Sequence, residues 1–123
     1  MVADSNNHRV QMLNEQGAFV AVIGEGVHDP CAVSCSDSLQ RHNHIVAADY
    51  GNQIHLFSPA SSSSSSDYKL LRTFCSTGSG QQQTDCVYGI CFDDERNRII
   101  ACDYFNKRLS VWSVDGSDCL DFF

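Results

Sequence analysis

Three features of the 123-residue sequence predict an all-β fold made of repeated four-stranded units. First, one phrase recurs in phase: VADSNNHRVQML from Val2, AADYGNQIHLF from Ala47 and ACDYFNKRLSVW from Ala101. Each copy carries a small-residue strand end, an Asp, two spacers, an Asn and then an alternating apolar strand. Second, apolar residues recur with period two, as in Val10 and Met12, Ile54 and Leu56, or Leu109 and Val111, and helical periodicity is almost absent. Third, Gly, Ser, Asn and Asp fill the intervals, as tight turns require.

The elements run in chain order. The first copy supplies a strand ending at Asp4, a turn through Asn7, a strand over Val10 to Leu13, and a further strand in AFVAVIG from Ala18. PCAVSCSD from Pro30 opens the second unit, the phrase at Asp49 and Asn52 continues it, and YKLLRTF from Tyr68 closes it. VYGICFDDE from Val87, the phrase at Asp103 and Asn106, and CLDFF from Cys119 make the third. The anchoring Asp residues are 45 and 54 residues apart, and the longer interval contains the serine run 61–66. Four short strands in roughly 45 residues form the pattern of a β-propeller blade. The expected organisation is therefore about two and a half blades: a partial one over 1–24 without its inner strand, a second over 25–75 with the Ser-rich loop 61–66, and a third over 76–123.

These residues also resemble the NHL-repeat family, whose pattern runs roughly Ile-x-Val-Ala-Asp-x-x-Asn-His-Arg-Ile-Gln-Val-Phe, then Gly-x-Phe. VADSNNHRVQML with Gly17 and Phe19 is close to it, as is YGICFDDERNRIIACDYFNKRLSVW, and CSTGSGQQQTDCVYGI is similar to the family's connection between blades. The middle copy lacks the family's Arg and is one residue shorter after Asn52, so that Ile54 interrupts the pattern. The resemblance implies a six-bladed ring, with the first strand of each blade lining the channel and the fourth outermost. It implies that the chain is a fragment of a larger propeller, or that further blades come from other copies. The function it implies is a non-catalytic protein-interaction scaffold, in the manner of tripartite-motif ubiquitin-ligase proteins, with no cofactor. Two alternatives stay open: single-stranded RNA binding through the turn face, and part of a metal-dependent propeller hydrolase or lyase.

Charge and composition narrow the partners. Fifteen Asp and Glu against eight Lys and Arg leave a net charge of −7 with the signs scattered, which weighs against a phosphate-binding surface. No apolar run approaches the ~20 residues of a transmembrane helix, so no membrane role is expected. The seven cysteines are odd in number and sit in strand-like runs, which predicts reduced thiols and a cytoplasmic protein.

The repeated polar turn supplies the candidate residues. Asp4, Asp49 and Asp103 with Asn7, Asn52 and Asn106 read first as structural, because Asp accepts turn N–H groups and Asn tolerates left-handed backbone. Arg9, Tyr50, Gln53, Tyr104, Phe105, Lys107 and Arg108 are placed on one turn face, where rings beside cations suit a peptide or a stacked base. Packing of those residues against neighbouring loops is the alternative. His28 beside Asp29, and His42 and His44 around Asn43, raise the question of zinc. No CxxC pair exists and alternation puts Cys31 and Cys35 on one side of a strand, so no metal site is expected. TGSGQQQTD lacks the Lys-Ser or Lys-Thr ending of a phosphate loop.

Overall fold

The computed structural model describes residues 1–24, 27–39, 43–60 and 67–123; the serine run 61–66 and His42 lie outside the described residues. The chain is all-β. Strands β1 (Val2–Asp4), β2 (Arg9–Leu13) and β3 (Phe19–Ile23) form the first sheet. The second is a meander of β4 (Pro30–Cys35), β5 (Ile45–Asp49), β6 (Ile54–Pro59) and β7 (Tyr68–Phe74). Two short parallel strands, β8 (Ser76–Thr77) and β9 (Gln83–Thr84), lead to the third sheet. It is the meander β10 (Val87–Asp93), β11 (Arg98–Asp103), β12 (Arg108–Ser113) and β13 (Cys119–Phe122). Consecutive pairs in all three sheets are antiparallel, which short polar turns permit. Among the described residues, no helix is long and apolar enough to cross a membrane.

The sheets stack face to face, and the middle one is buried on both sides. Toward the first sheet, Ile45, Ala47 and Phe57 pack with Val10, Ile23 and Val27. Toward the third, Val46, Ala48, Ile54, Leu56 and Phe74 pack with Val87, Ile99, Ala101, Trp112 and Cys119. A strand covered on both faces loses its polar alternation, and β5 accordingly reads IVAAD with every residue buried. The middle strands therefore carry apolar residues on both sides of the pleat.

Irregularities recur at matching places. Register shifts occur at Pro30/Ala32 and Val87/Gly89 where the first strands of the second and third sheets begin. Others fall at Met12/Leu13, Leu56/Phe57 and Val111/Trp112. A bulge inserts a residue and rotates the side chains beyond it to the other face. This corrects the expectation for the thiols: Cys31 packs toward the third sheet and Cys35 toward the first, so they do not share a side. Cys75 and Cys86 also depart from the expected strands, lying in connections with left-handed backbone.

All seven thiols are free. Burial pushes Cys31 up to about 11 and Cys75 far higher, so neither forms a reactive thiolate near neutral pH. Alkylation of the native chain at pH 7.5, followed by mass spectrometry, is expected to modify exposed Cys102 first and to spare Cys31 and Cys75 until the chain unfolds. Modification of Cys31 at the rate of Cys102 would contradict the packing.

Candidate functional site

The repeated turns are small carboxylate-centred networks, with the same Asn and Arg donors in the first and third copies and others in the second. At Asp4, Asn7 Nδ2 donates to Oδ1 at 2.9 Å and Arg9 Nε donates to Oδ2 at 2.8 Å, with Gln11 Nε2 as a further donor. The Arg9 hydrogen bond first, then those of Asn7 and Gln11, holds the Asp4 carboxyl below its usual range. At Asp103, fully buried, the donors are Asp85 N–H at 2.7 Å, Arg108 Nε at 2.7 Å and Asn106 Nδ2 to both oxygens. One side of the turn is thereby tied to the connection that precedes the sheet.

The middle copy solves the same problem with other atoms. Ala48 pairs with Ile54 where Ala3 pairs with Val10 and Cys102 with Leu109, so the shorter turn brings Ile54 into register with Val10 and Leu109. Gln53 then occupies the place of the arginines, and its N–H donates to Asp49 Oδ1 at 2.9 Å. His55, in the place of Gln11, sets Nε2 2.9 Å from Asp49 Oδ2 and Nδ1 3.0 Å from Thr73 Oγ1. Ile54 is thus no interruption, and the buried partner of Asp49 is a histidine that the motif alone does not reveal. The equivalence is one of hairpin register, since His55 faces Ala47 as Gln11 faces Val2. Asn52 turns away from Asp49: its Nδ2 donates to Thr77 Oγ1 at 3.0 Å and its Oδ1 accepts Cys86 N–H at 2.6 Å.

The same networks separate the candidate binding residues into two groups. Arg108 donates to the carbonyls of Ser79, Gly80 and Gln83 at 3.1, 3.0 and 2.8 Å and lies 3.9 Å above the Phe122 ring. Its guanidinium is consumed in fixing the β7–β10 connection, and Arg9 is half-exposed but paired to Asp4. Tyr50, Gln53, Tyr104, Phe105 and Lys107 are exposed.

Three of the aromatic rings on this side form a row. Tyr104 meets Tyr88 edge-on at 5.0 Å and Phe105 edge-on at 5.2 Å, geometries favoured by ring quadrupoles. Tyr104 is 58 % exposed and Phe105 62 %. Backbone bonds from Tyr104 and Phe105 N–H to Cys86 and Asp85 carbonyls, at 3.0 and 3.1 Å, hold the row against the connection. Tyr88 is not among the residues the sequence points to, because VYGICFDDE reads as continuous strand; it lies at the bulge where β10 begins. A neighbouring cavity of about 400 Å³ is lined by Tyr104, Lys107, Leu109 and Phe123 over Cys102.

Stacked antiparallel meanders, pinned to their connections by Asp-anchored turns, define the chain as an all-β repeat protein with an exposed aromatic row at its third unit. No protein-family model matches the chain, and no curated protein sequence is significantly similar to it.

Proposed function

We propose that the chain is part of an NHL-type β-propeller that acts as a non-catalytic protein-interaction scaffold, in an intracellular setting that keeps its thiols reduced. The observation that carries this reading is the exposed row Tyr88, Tyr104 and Phe105. Exposed rings held in fixed orientation offer apolar area at low entropic cost, which is how interaction surfaces are anchored. The internal use of Arg108 and Arg9 supports a peptide over RNA, since phosphate contacts need free clustered cations.

Repeat equivalence supports the propeller part of the proposal. Val46, Ala48 and Ile54 are fully buried by the next sheet. The corresponding Ile100, Cys102 and Leu109 line an open cavity of about 240 Å³ on the third sheet, with Leu109 41 % exposed. That is the face a further blade, from the same protein or another copy, would cover.

Phage-displayed peptides selected on the chain test the surface. Tyr104→Ala combined with Phe105→Ala is expected to weaken the selected peptides at least tenfold by calorimetry, with the circular dichroism spectrum unchanged. Peptide binding indifferent to both substitutions would overturn the assignment. Tight, salt-sensitive binding of an oligouridine lost in the same variant would replace it with RNA recognition.

A further inference from the structure

We propose that His8, His28 and Asp29 form a binding site for one divalent cation of the zinc class. His8 ends the turn after β1, and His28 and Asp29 lie in the connection between β3 and β4. Folding brings His8 Nδ1 to 2.9 Å from Asp29 Oδ1 and His28 Nδ1 to 3.1 Å from Asp29 Oδ2. The two imidazole rings lie 4.5 Å apart, and one donor atom from each of the three side chains falls within 4.8 Å of the others. Ligand atoms bonded to zinc at about 2.0–2.1 Å in a tetrahedron stand roughly 3.3 Å from one another, so little movement is needed to close on an ion. Two imidazoles with one carboxylate favour zinc, cobalt, nickel or copper over magnesium or calcium, which prefer all-oxygen shells.

The equivalent junction between the second and third sheets shows what is special here. There Asn52 Oδ1 accepts the Cys86 N–H at 2.6 Å, a bond that ties turn to connection. In the first junction the Asp29 N–H lies 3.2 Å from His8 Nδ1, longer, and the Asp29 carboxylate approaches the same nitrogen more closely at 2.9 Å. One ring nitrogen is then faced by both a donor and an acceptor. A ring with a bare Nδ1 satisfies the amide and opposes the carboxylate; the tautomer with its hydrogen on Nδ1 does the reverse. A cation bound between the nitrogen lone pair and the carboxylate oxygen resolves the conflict: it replaces the direct imidazole–carboxylate contacts with bonds to the ion and releases the long amide contact. The backbone is not the distinguishing feature, because His8 and Asp29 share their left-handed conformation with Lys107 and Cys86 of the third unit. Among the described residues the donor set occurs at one junction, and a net charge of −7 favours cation capture there.

The ion cross-links the turn of the first sheet to the entry of the second. His8 and His28 side chains are 52 % and 76 % exposed, which leaves at least one coordination position open to water or to a partner's carboxylate or imidazole.

Titration of the full, tag-free chain with zinc chloride by calorimetry, and with cobalt chloride by visible absorption, tests the site. One equivalent of either metal is expected, with the intense d–d bands of a tetrahedral nitrogen and oxygen set and no sulfur-to-cobalt charge-transfer band. His28→Ala and Asp29→Asn, at positions outside the core, are each expected to weaken binding at least tenfold. Zinc is expected to raise the thermal midpoint of the native chain and not of those variants. Failure of folded chain to take up one equivalent, uptake unaffected by either substitution, or a thiolate band marking the cysteines as ligands would each overturn the proposal. In the first two outcomes the cluster is a metal-free imidazole–carboxylate clip.

Discussion

Replacing Asp103 by alanine is expected to destabilise the chain by about 3–5 kcal/mol, the cost of removing one partner from a buried ion pair. The carboxylate is fully buried and Arg108 is 16 % exposed, so solvent cannot replace what is lost. Asn106 Nδ2 and the Asp85 N–H also lose their acceptor. The matching substitution Asp4→Ala removes the same motif where Arg9 is 39 % exposed, and is expected to cost much less. Urea unfolding of the two variants side by side checks the difference. Equal losses would mean that burial is not what gives the third turn its strength.

Trp112→Ala is expected to cost about 3–5 kcal/mol, the usual range for an aromatic side chain removed from a packed core. Trp112 is fully buried, packs 5.3 Å from the Phe74 ring, and donates its Nε1–H to Ser110 Oγ at 2.9 Å. Phe74 belongs to the second sheet and Trp112 to the third, so the cavity opens between sheets instead of within one. The loss should therefore show first as local opening. Hydrogen exchange in β10–β13 is expected to accelerate more than in β1–β3. Uniform acceleration across all three sheets would show instead that the stack unfolds as one cooperative unit.

The strands and turns are legible in the sequence because their signals are local. Period-two alternation marks β2, β6 and β12, and the Asp-x-x-Asn spacing marks the turns at Asp4, Asp49 and Asp103. The bulges are not legible, because an inserted residue in one strand is defined only by its partner's register. That is why alternation places Cys31 and Cys35 on one side and the fold places them on two. The candidate surface is legible in part. Tyr104, Phe105 and Lys107 are exposed as expected from their turn, whereas Tyr88 is hidden inside an apparent strand. Arg9 and Arg108, expected on that face, instead pair with Asp4 and Asp103.

By itself the sequence determined an all-β chain of repeated meanders, since alternation, turn chemistry and repeat phase are properties of neighbouring residues. Only the tertiary structure decided which atoms complete each turn: His55 for Asp49, three backbone carbonyls for Arg108, and Asn52 for the Cys86 amide. It also brought His8 to His28 and Asp29 across a sheet boundary. Such contacts join residues distant along the chain, and their geometry depends on how sheets stack and where strands bulge, which no local pattern encodes.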